Sequence, residues 1–296
     1  TDTRSGDDYS FNLDYSADVG PGTLGLNAFY VRTDRIQDED SIEYAGGIET
    51  DANIISVNDN DLDIRTDNFQ LGAEYEWQAA GGETRIQLGY AGIDDDQFEF
   101  EDEFEYLRDT RPFPEADRFT GDRTYTDIQD RELSGEIRHT RDLGGSELRF
   151  GVEVTQKDRD TDITTARTRI SLPNAPAPSP PIPGTFGPFL PLDGGLNSIE
   201  ETRVEPFVKL SGTSGALEWE AGLRYQQTDV EINDKTVAPA DARAENDYGV
   251  FLPSGHLRWN LDDSNRITAS VARTMRRPGF DQISPALLLA ELGDND

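Results

Sequence analysis

Cysteine is absent from the 296 residues of this sequence, and histidine occurs only at His139 and His256. The missing thiols exclude disulfide scaffolds, thiolate metal sites and cysteine nucleophiles. Basic residues are scarce as well, since 27 Lys and Arg stand against 59 Asp and Glu, for a net charge of −32. Phosphate binding needs the opposite sign of charge, so the composition argues for no nucleic-acid partner.

Long apolar runs are also missing from the sequence. None approaches the roughly 18 residues that a transmembrane helix needs, and the first residues, Thr1 to Asp8, do not have the composition of a signal peptide. Neither absence excludes a membrane β-barrel, whose strands carry their apolar residues in alternation. The aromatic residues make up 9% of the chain and recur along it, which favours an ordered protein despite the high charge.

Period-two alternation of apolar and polar residues is the main structural signal. Between residues 217 and 225 the apolar set is Leu217, Trp219, Ala221, Leu223 and Tyr225, with polar residues and glycine between them. A strand separates two such sets onto opposite faces, whereas a helix scatters them. The pattern recurs along the chain and predicts about ten strands. They span roughly 9–19, 23–36, 66–78, 84–100, 124–142, 147–162, 202–211, 216–232, 247–261 and 265–277.

The connections between these strands alternate between tight and long. Glycine-rich or Asp-Ser turns lie near 20–22, 79–82, 144–145, 212–215 and 262–264, and the longer connections cover about 37–65, 101–123, 163–201 and 233–246. Outer-membrane barrels have this rhythm, with short periplasmic turns and long extracellular loops. The fold class predicted is therefore an all-β antiparallel meander of about ten strands that forms part of a transmembrane β-barrel. A soluble sandwich or propeller remains the alternative.

The two faces of the predicted strands suit lipid on one side and a lumen on the other. Trp77, Trp219 and Trp259 each lie on the apolar face a few residues from a tight turn, and indole rings favour the membrane–water interface. The opposite face mixes both signs of charge, as in Glu74 and Arg224. Such a face can line a lumen, although a half-buried soluble sheet would also expose a polar face.

Two motifs suggest ligand chemistry, and for each a simpler interpretation exists. Residues 20–25 fit the G-x-G-x-x-G pattern, but a strand follows rather than the helix that nucleotide binding needs. Asp59, Asp61 and Asp63 have the spacing of the first EF-hand ligands without its glycine and distal glutamate. An acidic run at 94–105 is interpreted as a solvated loop, and binding of divalent cations there stays open.

A serine and a histidine on one strand face raise the question of hydrolysis. Ser254 and His256 are two residues apart, but no G-x-S-x-G elbow surrounds the serine. An orienting acid and oxyanion donors cannot be placed from the sequence. We therefore predict that the protein is not an enzyme, with no catalytic residue, no cofactor and no metal site.

Proline is concentrated between Pro173 and Pro191. This segment is predicted to form a polyproline-like external loop. A linker between domains is the competing interpretation. Strand patterning resumes on both sides, which favours a loop within one domain.

Near the C-terminal end the sequence resembles the barrel of TonB-dependent outer-membrane receptors. Phe251-Leu252-Pro253-Ser254 leads into an amphipathic strand, and the next strand ends in Arg276-Arg277-Pro278-Gly279-Phe280. The match covers about thirty residues. It implies a barrel of about 22 strands with a plug inside, which imports a scarce ligand such as an iron-siderophore complex.

The resemblance also implies partners and a location. The partners are outer-membrane lipid, the TonB energy-transducing complex reached through a plug domain, and a small ligand of unknown identity. The location is the outer membrane of a Gram-negative bacterium. Residues 1–296 are expected to be a partial barrel domain, with the plug domain and closing strands absent. The substrate-binding residues are unknown. The alternatives are an acidic surface-exposed β protein that binds ions or partners without transport, and a passive porin-like channel.

Overall fold

A computed structural model describes residues 2–106, 115–172, 186–262 and 264–286. Ten strands form one antiparallel sheet in which each strand pairs with its neighbours in sequence, and among the described residues no pairing joins the first strand to the last. The strands are β1 (Asp2–Val19), β2 (Gly22–Tyr44), β3 (Ile54–Ala79), β4 (Gly82–Glu105), β5 (Arg118–Asp142), β6 (Ser146–Ser171), β7 (Leu190–Ser214), β8 (Leu217–Asp234), β9 (Arg243–Asn260) and β10 (Arg266–Ala272). The predicted fold class is confirmed: the sheet is an antiparallel meander of ten strands.

The strands are longer than the alternation predicted, and the additional residues lie at their loop ends. β3 starts at Ile54 rather than near residue 66, and β4 runs to Glu105 rather than to residue 100. The predicted connections 37–65 and 101–123 therefore begin and end in strand. In these extensions the side chains alternate less in polarity, so the pattern gave no signal although the backbone pairing continues.

The last strand shows the opposite error. It was predicted to reach residue 277, but β10 ends at Ala272 and the chain then leaves the sheet. A one-turn helix, α1 (Phe280–Ile283), follows. Pro278 has no N–H with which to continue a ladder, and Arg277 and Asp281 have ion-pair partners on one face of the sheet. The described residues include no helix long and apolar enough to span a membrane.

Backbone conformation at the tight turns confirms the predicted hairpins. Val19 pairs with Gly22 across a two-residue turn in which Gly20 has φ +61°. Glycine at this position is what a type II′ turn requires. The G-x-G-x-x-G pattern thus forms a hairpin, as its simpler interpretation predicted. Residue 263, in the last predicted turn, lies outside the described residues.

Buried residues are few in this sheet and do not form a central core. A small apolar cluster lies near the loop end of β4, β5 and β6, and consists of Phe104, Ala116, Phe119 and Leu172. Many other large apolar side chains are exposed, including Leu71, Leu88, Leu133 and Phe251. A soluble domain would bury such residues. The sheet is organised by its two faces rather than by a core.

Candidate functional site

One face of the sheet carries an apolar belt, which we call the outer belt. On β3 its residues run from Phe69 through Leu71 to Trp77. This stretch of nine residues matches the roughly 9–11 with which a strand crosses a bilayer. The register places β4 residues Tyr90 and Leu88 beside Leu71 and Ala73. The belt continues around the sheet through residues Leu13, Leu26, Leu133, Val154, Val208, Leu223 and Phe251, all of which are exposed.

Both borders of the outer belt carry aromatic side chains. At the turn end, Tyr75 and Trp77 stack with ring centroids 5.2 Å apart, and Trp219 and Trp259 lie beside the turns of their own hairpins. At the loop end the border residues include Tyr9, Tyr30, Phe69, Tyr90 and Tyr225. Two aromatic borders around an apolar band are typical of membrane barrels. The predicted girdle of three tryptophans is therefore part of a larger arrangement.

Charged residues begin directly beyond the loop-end border. On the outer face, Arg32 donates two hydrogen bonds to Asp67, at 2.8 and 2.9 Å. Nearby, Arg131 Nη2 lies 2.6 Å from Asp94 Oδ1. These charges lie where a bilayer would give way to headgroups and water, because the last apolar residues of that face, Tyr30, Phe69 and Leu133, lie two residues away on the same strands.

The opposite face, which we call the inner face, is concave and charged. A concavity of about 720 Å³ is lined by residues from β1 to β6, among them Asp14, Glu74 and Glu153. Glu74 accepts hydrogen bonds from Arg85 and Gln87. The predicted assignment of faces is confirmed, since Glu74 and Arg224 lie on the face opposite to Leu71 and Leu223. The predicted contact with lipid stays a prediction.

Ion pairs cross several strands of the inner face. Arg224 Nη1 on β8 lies 2.7 Å from Glu205 on β7 and 2.9 Å from Glu153 on β6. Arg203 Nη1 lies 3.2 Å from the same Glu205 and Arg203 Nε 2.9 Å from Glu201. One guanidinium on β8 thus joins carboxylates of both β7 and β6. The network pairs charges of opposite sign across the inner face.

The acidic run at 94–105 differs from its interpretation as a loop. All of it lies in β4, and Asp102 and Glu105 are buried. Arg123 Nη2 lies 2.8 Å from Asp102 Oδ1, and Arg118 forms an ion pair with Glu105. The solvated-loop interpretation is therefore wrong, because arginines on β5 pair with these carboxylates. Across the described residues, no three or more acidic or histidine side chains are placed to hold a metal ion.

Asp59, Asp61 and Asp63 lie within β3 rather than in a loop of the EF-hand kind. They share the outer face, and Asp61 lies opposite Asp38 in the register. Burial, a hydrogen bond with Asp38 and the neighbouring carboxylates raise the pKa of Asp61 to about 6. The spacing that suggested metal ligands is thus the period of a strand.

Ser254 and His256 lie on one face of β9, as predicted. The hydrogen bond of His256, however, is with Ser270 of β10, over 2.8 Å between Nδ1 and Oγ. The register places Glu220 on the other side of His256, and Glu220 itself lies 2.5 Å from Lys209. Sequence reasoning missed Ser270, because the partner depends on strand register.

Of the proline-rich segment, residues 173–185 lie outside the described residues. Its predicted end is wrong at Leu190 and Pro191, which form the first residues of β7 and pair with Thr165 and Thr164. A proline is tolerated at the start of a strand. The prediction of a polyproline-like loop for the remainder stays a prediction.

A curved antiparallel sheet with an apolar belt outside and ion pairs inside is the wall of a β-barrel. The sequence matches the family model for the TonB dependent receptor-like β-barrel over residues 1–293. The chain therefore belongs to the family of TonB-dependent receptor β-barrels, as the resemblance near the C-terminal end indicated. Members of this family are outer-membrane receptors of Gram-negative bacteria. No curated protein matches the sequence.

Three solved structures show a similar architecture. Copper transporter OprC shares 11% identity over 94% of this chain and 46% of its own, with a TM-score of 0.42. The ferric citrate transporter FecA shares 13% identity over 90% of this chain and 43% of its own, with a TM-score of 0.34. The siderophore receptor PiuA from Acinetobacter baumannii shares 10% identity over 92% of this chain and 49% of its own, with a TM-score of 0.36. The chain thus spans less than half the length of each of these proteins, and the family assignment rests on the family model.

Proposed function

We propose that this barrel serves as an outer-membrane receptor that takes up a scarce ligand, such as an iron-siderophore complex, driven by the TonB complex. The observation that carries the proposal is the two-faced sheet of a family member. Its outer belt, from Phe69 to Trp77 on β3, has the height to meet lipid. Its inner face, from Glu74 to Arg224, is charged and concave.

The organisation of the whole receptor is part of the proposal. Residues 1–296 would be part of a barrel whose remaining strands, together with a plug domain that contacts TonB, belong to the rest of a longer protein. The partial coverage of the solved structures supports this division. Lipid would cover the outer belt, and the ligand would pass along the inner face.

The class of ligand is supported by the family alone. The similar structures are a copper transporter, a ferric citrate transporter and a siderophore receptor. We propose a cargo of the same kind, a scarce metal or its small-molecule complex.

Uptake measurements test this function. Cells that lack the gene are compared with complemented cells for accumulation of ⁵⁵Fe supplied as ferric citrate or as the host's own ferric siderophore, each with and without a functional TonB complex. We expect accumulation in complemented cells only, and only with TonB. Accumulation that persists without TonB would show a passive channel, and loss of the protein from the outer-membrane fraction would show a soluble binder.

A further inference from the structure

A short segment after β10 crosses the inner face of the sheet. We call residues 273–286 the strap. Asp281 in the strap forms an ion pair with Arg159 of β6, and Ser284 Oγ lies 3.5 Å from Asn197 Nδ2 of β7. Arg159 is itself fixed by Asp130, which accepts hydrogen bonds at 2.6 and 2.5 Å. The strap is therefore anchored at two points, about one helical turn apart.

The sheet provides a fitted seat for the strap. Ile199 and Asn197 are 0% exposed and Ser284 is 3% exposed. Gly194 has φ +70°, and a Cβ there would lie 2.7 Å from the carbonyl carbon of Pro285. A larger residue at 194 would displace the strap, so glycine permits this close approach.

The strap and strands β2 to β7 line an open cavity of about 860 Å³. One wall of this cavity is apolar, although the rest of the inner face is mainly polar. It contains Phe29, Val31 and Ile93 from the sheet and Phe280 from the strap. The register places Phe29 beside Gln70 and Val31 beside Asn68, on the inner face. Phe29 and Ile93 are 42% and 40% exposed, so they offer a contact surface to a ligand.

Five cations also line the cavity: Arg131, Lys157, Arg159, Arg203 and Arg277. Arg131 Nη2 lies 2.6 Å from Asp94 and Lys157 Nζ lies 2.6 Å from Glu132, and Arg159 and Arg203 form the ion pairs given above. Arg277, on the strap, is different because its nearest ion-pair partner, Glu205, lies 3.9 Å away. Since Glu205 already has Arg203 and Arg224 within 3.2 Å, Arg277 is the cation best placed to bind an added anion.

We propose that this cavity is a binding subsite for small aromatic carboxylates. The aromatic body would lie against Phe29 and Phe280, and the carboxylate would accept hydrogen bonds from Arg277. The strap supplies both Phe280, for the aromatic body, and Arg277, for the carboxylate. The subsite therefore exists only while the strap is docked. The inference rests on the proposed function in assigning the subsite to imported cargo, but binding itself can be measured without uptake.

The test uses the protein expressed from its full gene and purified in detergent. Binding of 4-fluorobenzoate is titrated by ¹⁹F NMR, with 4-fluorobenzylammonium as the cationic probe of similar shape and protein-free micelles as the blank. We expect the benzoate to bind at least tenfold more tightly than the ammonium. Arg277→Ala and Phe280→Ala should each weaken benzoate binding about tenfold, whereas Arg277→Lys should keep the preference for the anion.

Arg149→Ala is the matched control, because Arg149 lies on the inner face near a turn and pairs with Glu147 outside the cavity. Its binding of both probes should equal that of the unaltered protein. Equal affinity for the two probes, or equal effects of Arg277→Ala and Arg149→Ala, would overturn the subsite. If Arg277→Ala does not fold, Arg277→Gln decides the question with the same probes, because it removes the charge but keeps a polar side chain, and it should lose the preference for the anion. Binding without TonB-dependent uptake would refute the proposed function and leave the subsite standing.

Discussion

Ala80 is the one non-glycine residue with a positive φ in the part of the chain that the structure describes, at +52°. It lies beside Gly81, with φ +76°, in the two-residue turn between β3 and β4. Positive φ at both positions is the requirement of a type I′ turn. An alanine there is strained by its Cβ, which a glycine lacks.

We predict that Ala80→Gly raises the free energy of unfolding by about 0.5–1 kcal/mol, because the relief of strain exceeds the added flexibility of the unfolded chain. Urea unfolding in lipid bilayers measures the difference. Ala79→Gly is the control, since Ala79 is the last residue of β3 and glycine is unfavourable in a strand. A destabilisation by both substitutions would contradict the assigned turn.

Asp61, in the loop-end extension of β3, makes the stability of the folded protein depend on pH. Its folded-state pKa of about 6 is above the ordinary value of 3.8. The Asp61 carboxyl thus binds its proton more tightly in the folded protein than in the unfolded chain. Stability is therefore lost as the pH rises from 3.8 to about 6. We predict that Asp61→Asn raises the unfolding temperature above pH 6 and has little effect below pH 4.

Unfolding scans between pH 4 and pH 8 measure this difference. Asp7→Asn serves as the control, because Asp7 is an exposed carboxylate of β1 that lies opposite Asp34 and outside this cluster. Its effect should be small and similar at all pH values. A stabilisation by Asp61→Asn that is the same at pH 4 and pH 8 would contradict the role of carboxylate repulsion.

At the scale of a single strand, neighbouring positions should respond differently to the same added charge. Leu71 lies in the outer belt and Gln70 on the inner face of β3. Leu71→Arg should lower the free energy of unfolding in lipid by about 2–4 kcal/mol, since its charge would enter the bilayer. Gln70→Arg should change it by less than about 1 kcal/mol, because the inner face is polar. Equal losses would contradict the assignment of faces.

The sequence predicted all ten strands because the two faces of the sheet differ in polarity, so that apolar and polar residues alternate along each strand. The alternation weakens where the outer belt ends, and the strand signal ends there too. β2 therefore continues to Tyr44 without a matching pattern of apolar residues beyond Ile36. The strap could not be predicted at all. Its contact between Arg159 and Asp281 joins residues 122 positions apart, and no local pattern indicates such a partner.

At the scale of the whole molecule, the alternation of short turns and extended loop ends leads us to predict that the loop ends face the cell exterior. We predict that an epitope tag inserted between Gly46 and Gly47, in the connection from β2 to β3, binds antibody on intact cells. A tag between Gly144 and Gly145 should bind only after permeabilisation. Both sites lie between two glycines of positive φ outside the strands, which makes them a matched pair. The reverse labelling would contradict the topology.

The central claim is that the outer belt meets lipid while the inner face lines an aqueous lumen. Since the chain has no cysteine, spin labels can be placed one at a time along β6 without other changes. In bilayers, labels at Leu148, Phe150 and Val152 should be relaxed by oxygen, and labels at Arg149 and Glu153 by a water-soluble nickel complex. Accessibility that alternates with every residue is the predicted result. Equal accessibility of both sets to the nickel complex would contradict the barrel.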